Sequence, residues 1–259
     1  MLSTQRYPAE AKTGQMPLVI VHGLFGSGRN WGVIARRLAA TRDVVTLDQR
    51  NHGESPRAVT HSYADMAVDL AEVIGSLPGP VDLLGHSMGG KACMVLALTD
   101  GALIRRLVVA DIAPVAYTHD QSRHIHAMRA LDLTGLSSRA EADRRMQSTT
   151  PDPALRAFFL QSLDLKAQPA RWRLNLDVLE AEMDQIVGWP AITGQFPKPV
   201  LFLSGADSSY VLPDHRAAIR ALFPKARFAG LPGAGHWLHA EQPRAFADTV
   251  EVFLAAPGS

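Results

Sequence analysis

A chain of 259 residues with 47% hydrophobic and 20% charged side chains can bury a sizeable core, as one large α/β domain or two smaller ones. Its net charge of +1 gives no electrostatic case for nucleic acid or an anionic membrane, and one cysteine, Cys93, excludes an internal disulfide framework. The N-terminus lacks the apolar stretch of a signal peptide, and no apolar run approaches the ~20 residues a membrane span needs, so a cytoplasmic protein is expected.

Short apolar runs recur along the chain, with helix-like segments between them. Leu18–Val21 ends in His22-Gly23, Val44–Leu47 in Asp48, Val81–Leu84 at Gly85, and Leu107–Ala110 in Asp111. Near-continuous runs of this length suit strands buried on both faces of a parallel sheet. From about Tyr117 to Phe196 the rhythm breaks, and only amphipathic helical patterns are read: Leu155, Phe158, Phe159 and Leu163, then Trp172, Leu176, Leu179, Met183 and Ile186. Pro151 and Pro153 separate two of these segments. Strands resume at Pro199–Leu203 and Ala226–Leu231, and a last helix from about Pro243 carries Phe246, Val250, Phe253 and Leu254 on one face. The expected architecture is α/β: a mostly parallel, doubly wound sheet from residues 1–116 and 197–259, with a helical cap inserted over 117–196. Ligands of such sheets bind beyond the carboxyl ends of the strands.

Gly85-His86-Ser87-Met88-Gly89 stands at one of those ends, between an apolar run and a helix of small residues. That is the strand–turn–helix setting of a G-x-S-x-G nucleophile elbow, which lifts a serine hydroxyl clear of the sheet. Cys93 sits in the following helix and reads as core.

A serine hydroxyl needs a base, and imidazole suits that role because its ordinary pKa lies near 6.5. His236, in Gly233-Ala234-Gly235-His236-Trp237, comes last in the chain order serine, acid, histidine. His239 is the weaker candidate, and His22 reads as a structural hydrogen-bonding residue. Two acids compete. Asp111 directly follows the strand after the elbow strand and is favoured. Asp207 follows the later strand but falls one residue before Ser208, where that acid usually sits, and it stays as the alternative. Asp177 groups with Arg173, Glu180 and Asp184 on a polar helix face.

Acyl transfer also needs donors for an oxyanion. The backbone N–H groups of Met88 and of Leu24, in His22-Gly23-Leu24-Phe25-Gly26-Ser27, are the candidates. Phe25, Phe158, Phe159, Trp172 and Trp237 are read as substrate-binding residues. The cap residues among them, with Ile125 and Met128, either line an apolar entrance or pack the cap onto itself. The Asp48–Ser55 loop reads as a support beneath the catalytic edge. His119, His124 and His126 lack a carboxylate or cysteine partner set, so no metal is expected, and a serine mechanism needs no cofactor.

These residues resemble the α/β-hydrolase superfamily over essentially the whole chain. The closer likeness is to bacterial acyl-esterases of the YbfF type and their mitochondrial abhydrolase relatives. It rests on the elbow with Gly90-Lys91, Arg50-Asn51-His52-Gly53, Asp111-Ile112-Ala113-Pro114-Val115, Trp172-Arg173-Leu174-Asn175-Leu176-Asp177 and the His236 loop. The resemblance implies Ser87 as nucleophile, His236 as base and Asp111 as the acid after the sixth strand. Such relatives tend to carry asparagine where this chain has Asp207, a departure that keeps the second acid alive. It implies hydrolysis of a small acyl ester or thioester. C–C bond, lactone or perhydrolase-type chemistry on the same triad, or a receptor without turnover, are the alternatives.

Overall fold

Val19, Val21, Leu83, Leu107 and Val109 pack into one hydrophobic cluster, while their neighbours Leu18, Ile20, Leu84 and Val108 pack into another. Successive side chains of a strand point to opposite faces, so both faces of this sheet are covered and its strands are apolar throughout. The computed structural model describes residues 1–11, 13–118 and 121–256. In chain order the first half comprises β1 (Thr4–Tyr7), β2 (Leu18–Val21), α1 (Gly32–Leu38), β3 (Val44–Leu47), α2 (Tyr63–Gly75), β4 (Val81–His86), α3 (Met88–Thr99) and β5 (Ile104–Ala110). Then come α4 (Ser122–Arg129), α5 (Arg139–Met146), α6 (Pro153–Leu160), β6 (Leu163–Asp164), β7 (Arg171–Trp172), α7 (Leu176–Ala181) and α8 (Met183–Val187). The chain closes with β8 (Val200–Gly205), α9 (Arg216–Leu222), β9 (Ala226–Leu231), α10 (Leu238–Glu241) and α11 (Pro243–Ala255).

Seven strands form one sheet in the order β1-β3-β2-β4-β5-β8-β9, parallel except for β1. Helices α2 and α3 cover one face, and α1 and α11 the other. The α2 stripe of Met66, Leu70, Val73 and Ile74 begins at Ser62, whose hydroxyl caps the Asp65 N–H at 3.1 Å. In α11, Pro243 opens the helix, and Phe246, Val250, Phe253 and Leu254 are buried.

Three expectations need correction. Strand β1 went unread because Thr4, Gln5 and Arg6 are exposed at the sheet edge and only Tyr7 is buried, which leaves no apolar run. The helical spacing through Leu163 and Trp172 is broken by a two-residue hairpin, β6 with β7, too short to leave a periodic trace. Arg173 therefore lies outside the helix that carries Asp177 and Glu180. The strand before Asp111, implied to be the sixth, is the fifth in this chain.

Register decides what the sheet presents. Gly85 of β4 stands beside Val21 of β2 and Val109 of β5, and Ala110 stands beside Leu203 of β8. The loops leaving these four strands therefore start side by side. Between β2 and β4 the chain switches sides of the sheet, and a crevice opens there.

Candidate active site

Ser87 is the hinge residue between β4 and α3. Its φ of +52° and ψ of −122° are strained for a side-chain-bearing residue, at a cost of about 1–3 kcal/mol. The N–H of Ser87, bonded to the Ala110 carbonyl at 3.0 Å, holds the turn against β5. A side-chain carbon on Gly89 would meet the carbonyls of His22 and Val21, so α3 can start here only with glycine. One on Gly23 would sit 3.1 Å from Ser87 Cβ, because the loop after β2 passes directly over the serine.

Asp111 is fully buried and also has a positive φ, +51°. Its N–H donates to the Leu203 carbonyl at 2.9 Å. Its Oδ1 accepts the Gly205 N–H at 3.1 Å, and its Oδ2 accepts the Ser208 hydroxyl at 2.5 Å and His236 Nδ1 at 2.7 Å. An ionised carboxylate only accepts, so the imidazole proton sits on Nδ1. The Nε2 lone pair then faces Ser87, whose hydroxyl donates to it at 3.1 Å. Serine, histidine and aspartate form one hydrogen-bonded line.

Asp207 is not in that line. It is exposed, and its N–H donates to the Ala234 carbonyl at 3.0 Å. Asp177 is exposed too and pairs with Arg129.

Ser87 and His236 open onto a cavity of about 380 Å³, within the ordinary range for small-ligand sites. Met88 contributes the first N–H of α3, which a helix leaves without an internal partner. In the loop over Ser87, the Phe25 N–H goes to His52 Nε2 at 3.2 Å and the Gly26 N–H to the Gly23 carbonyl at 3.0 Å. Among the described residues the Leu24 N–H takes no protein acceptor. Phe25, Phe158, Phe159 and Trp237 form walls: Phe159 meets Phe25 edge-on at 5.6 Å, and Phe158 meets Trp237 at 6.0 Å.

Trp172 does not reach the cavity, contrary to expectation. It is buried in the cap, and its indole N–H donates to the Met128 carbonyl at 2.9 Å, a bond that fixes it there. Ile125 and Met128 are buried with it. Of the cap residues in question, the two phenylalanines face the entrance and the other three pack the cap.

Beneath the edge lie several neutral imidazoles. Burial depresses His22 to about 4, His52 to about 3, His61 to about 2 and His239 to about 3, and pushes His86 well down. His22 receives the Gln49 N–H on Nε2 and donates from Nδ1 to the Gly23 carbonyl, fixing the loop over Ser87. His86 donates to the His236 carbonyl at 2.8 Å, and His239 stacks on Trp31 at 4.1 Å. The Asp48 carboxylate accepts the N–H groups of Gly28 and Glu54, each at 2.8 Å. Asn175 ties the cap to Asn51 by two bonds of 2.9 Å, which joins two of the stretches behind the family resemblance. His126 pairs with Glu180 and His124 packs on Phe159, while His119 lies outside the described residues. Among the described residues no group of three histidine, cysteine or acidic side chains is arranged to hold a metal.

Three residues beside the site escaped the sequence reading. Ser208 holds Asp111, and Tyr210 lies on His236. Lys91, fully buried, donates to the Val187 and Gly188 carbonyls at the end of α8, and burial lowers it to about 7. The lysine stands one helical turn after Ser87, and its signals in the sequence were that spacing and its place in the stretch behind the family resemblance.

Known proteins resemble this chain over most of its length. A mouse protein named sn-1-specific diacylglycerol lipase ABHD11 is 40% identical over 92% of this chain and 80% of its own length. Esterase YbfF of Escherichia coli is 36% identical over 98% of both chains. The solved structure of a marine microorganism esterase superposes with a TM-score of 0.91 at 36% identity, covering 97% of this chain and 98% of that one. The family model described as alpha/beta hydrolase matches residues 18–249, from the first buried strand into the last helix, and the chain belongs to that family.

Proposed function

We propose that the protein hydrolyses carboxylic esters, with acyl thioesters as further substrates, through an acyl-enzyme on Ser87. The observation that carries this reading is the line from Ser87 Oγ to His236 Nε2 at 3.1 Å and from His236 Nδ1 to Asp111 at 2.7 Å. Ser87 Oγ attacks the acyl carbonyl carbon while His236 Nε2 takes its proton. The Leu24 and Met88 N–H groups receive the oxyanion. When the tetrahedral adduct collapses, the bond to the leaving oxygen or sulfur breaks and His236 returns the proton to it. Water then attacks the acyl-enzyme, gives a proton to His236, and releases the acid as Ser87 Oγ is reprotonated. Asp111 orients the imidazole and balances its transient charge. The names of the mouse and E. coli relatives favour ester over C–C bond cleavage. Residues 117–196 act in this reading as the cap that selects the acyl group, through Phe158 and Phe159.

The test is Ser87→Ala beside the unaltered protein, both assayed on p-nitrophenyl esters and matched acyl thioesters and both treated with a fluorophosphonate label. Loss of both turnover and labelling, with an unchanged melting temperature, supports the assignment. Turnover near the unaltered rate overturns it. Labelling without turnover would favour a receptor.

A further inference from the structure

The His236 ring has a partner that the proposed mechanism leaves unused. Tyr210 lies 3.9 Å away between ring centroids with 19° between planes, face on face. We propose that Tyr210 is a positioning residue for the base: its ring fixes the imidazole plane and stabilises the cation formed when Ser87 gives up its proton. This rests on the proposed role of His236.

The stack is held from both sides of the peptide. The Tyr210 N–H donates to Ser208 Oγ at 3.3 Å, the hydroxyl that also holds Asp111. The Tyr210 carbonyl accepts the Tyr117 hydroxyl at 2.6 Å, and Tyr117 packs on Tyr210 at 5.2 Å. The Tyr117 N–H in turn reaches the Val187 carbonyl at the end of α8. Pinned at both ends, the Tyr210 peptide cannot shift without breaking bonds to Ser208 in the acid loop and to Tyr117, and the half-buried ring it carries lies between the imidazole and the Tyr117 ring.

The chemistry of the two rings is complementary. Burial, then the nearby Asp111 charge, pushes the Tyr210 phenol up, so its face stays that of a neutral, electron-rich ring. Such a face attracts a cation, most strongly where water is excluded. Of the other rings against His236 among the described residues, Trp237 meets it edge-on at 6.0 Å and His86 lies tilted at 4.8 Å, so Tyr210 is the one stacked face on face. Asp111 meets Nδ1 in the ring plane, while His86 from β4 and His239 from α10 are kept uncharged by burial. Glu241 of α10 is bonded to the Gly235 N–H. Of the cations, Lys91 lies over Tyr117, and Arg123 of α4 is felt at Tyr210, where it opposes the rise of the phenol. The stack is the π contact that grows stronger as the proton moves, which is the condition for an interaction to speed a reaction.

The experiment replaces Tyr210 with phenylalanine, with progressively fluorinated phenylalanines and with leucine, reading kcat/KM against pH on a p-nitrophenyl ester. Fluorination drains the ring face while keeping its shape, so these variants fold. Tyr210→Phe should stay within about twofold of the unaltered protein. The most fluorinated ring and Tyr210→Leu should lose about 2- to 30-fold, the range of a cation–π contact. Their acid limb should move to lower pH, because the cation has lost a stabilising partner. A ring that serves packing alone would lower the plateau and leave that limb in place. A flat fluorinated series, or a Tyr210→Phe loss as large as that of leucine, overturns the proposal. His236→Ala is run alongside: surviving turnover there would remove the base assignment itself, a failure distinct from a flat series.

Discussion

Ser208 and His236 share one oxygen: both donate to Asp111 Oδ2, the serine at 2.5 Å and the imidazole at 2.7 Å. Ser208 occupies the place after β8 where an acid usually sits in this fold, and it supplies a hydroxyl to the acid that follows β5. A hydrogen bond to a charged group contributes about 1.5–3 kcal/mol. Asp111 keeps its Gly205 contact when the hydroxyl is removed, so Ser208→Ala should reduce kcat/KM roughly tenfold without unfolding the protein. Steady-state kinetics with a melting curve checks this; an unchanged kcat/KM would make Ser208 a bystander.

The two aspartates are separated by the same assay. Asp111→Asn keeps the side chain's shape but removes the charge opposite the imidazolium and offers Nδ1 the wrong partner. A loss on the order of 10³–10⁴ in kcat is expected. Asp207 is exposed and bonded through its backbone, so Asp207→Asn should stay within about twofold. Equal losses in both variants would contradict this division.

The contrast shows what a linear sequence carries. Strands β2 to β5 were legible because each is buried on both faces and ends in a glycine or a polar residue. The elbow was legible because its glycines answer to backbone contacts that no other residue permits. Ser208, Tyr210 and Lys91 act through side chains that meet only after β8, α8 and the His236 loop have come together. No spacing rule connects them. Trp172 was misplaced because an apolar cap residue suits an entrance wall and a packed interior equally, and the Met128 carbonyl that fixes the indole is met only in the folded cap.

Neutral buried histidines tie stability to pH. His22, His52, His61 and His239 have folded values between about 2 and about 4, below the unfolded imidazole near 6.5. Above 6.5 both states are uncharged at these sites, and no penalty applies. As pH falls from there toward 4 the unfolded chain takes up protons that the folded one refuses, so stability is lost. Each histidine costs up to about 1.4 kcal/mol per pH unit. Denaturant titrations at pH 7, 6 and 5 should show a steep decline before most carboxylates titrate. A level curve over that range would mean the imidazoles are not held neutral.

The cap separates into residues that pack and residues that face substrate, and paired variants should resolve them. Trp172→Phe removes the indole N–H bond to the Met128 carbonyl, which keeps its 3.3 Å bond from the Leu131 N–H, and leaves a gap where the larger ring stood, at a cost of about 1–3 kcal/mol in stability. Because Trp172 lies away from the cavity, kcat/KM should hardly change. Phe158 is partly exposed, faces the cavity and touches Trp237 next to His236. Phe158→Ala should leave the melting temperature nearly unchanged, raise KM for longer acyl esters about tenfold, and spare acetyl esters that do not reach the ring. Kinetics over a series of acyl lengths, with melting curves for both variants, measures each arm. A Trp172→Phe variant that shifted the acyl preference would place the indole in the substrate path after all.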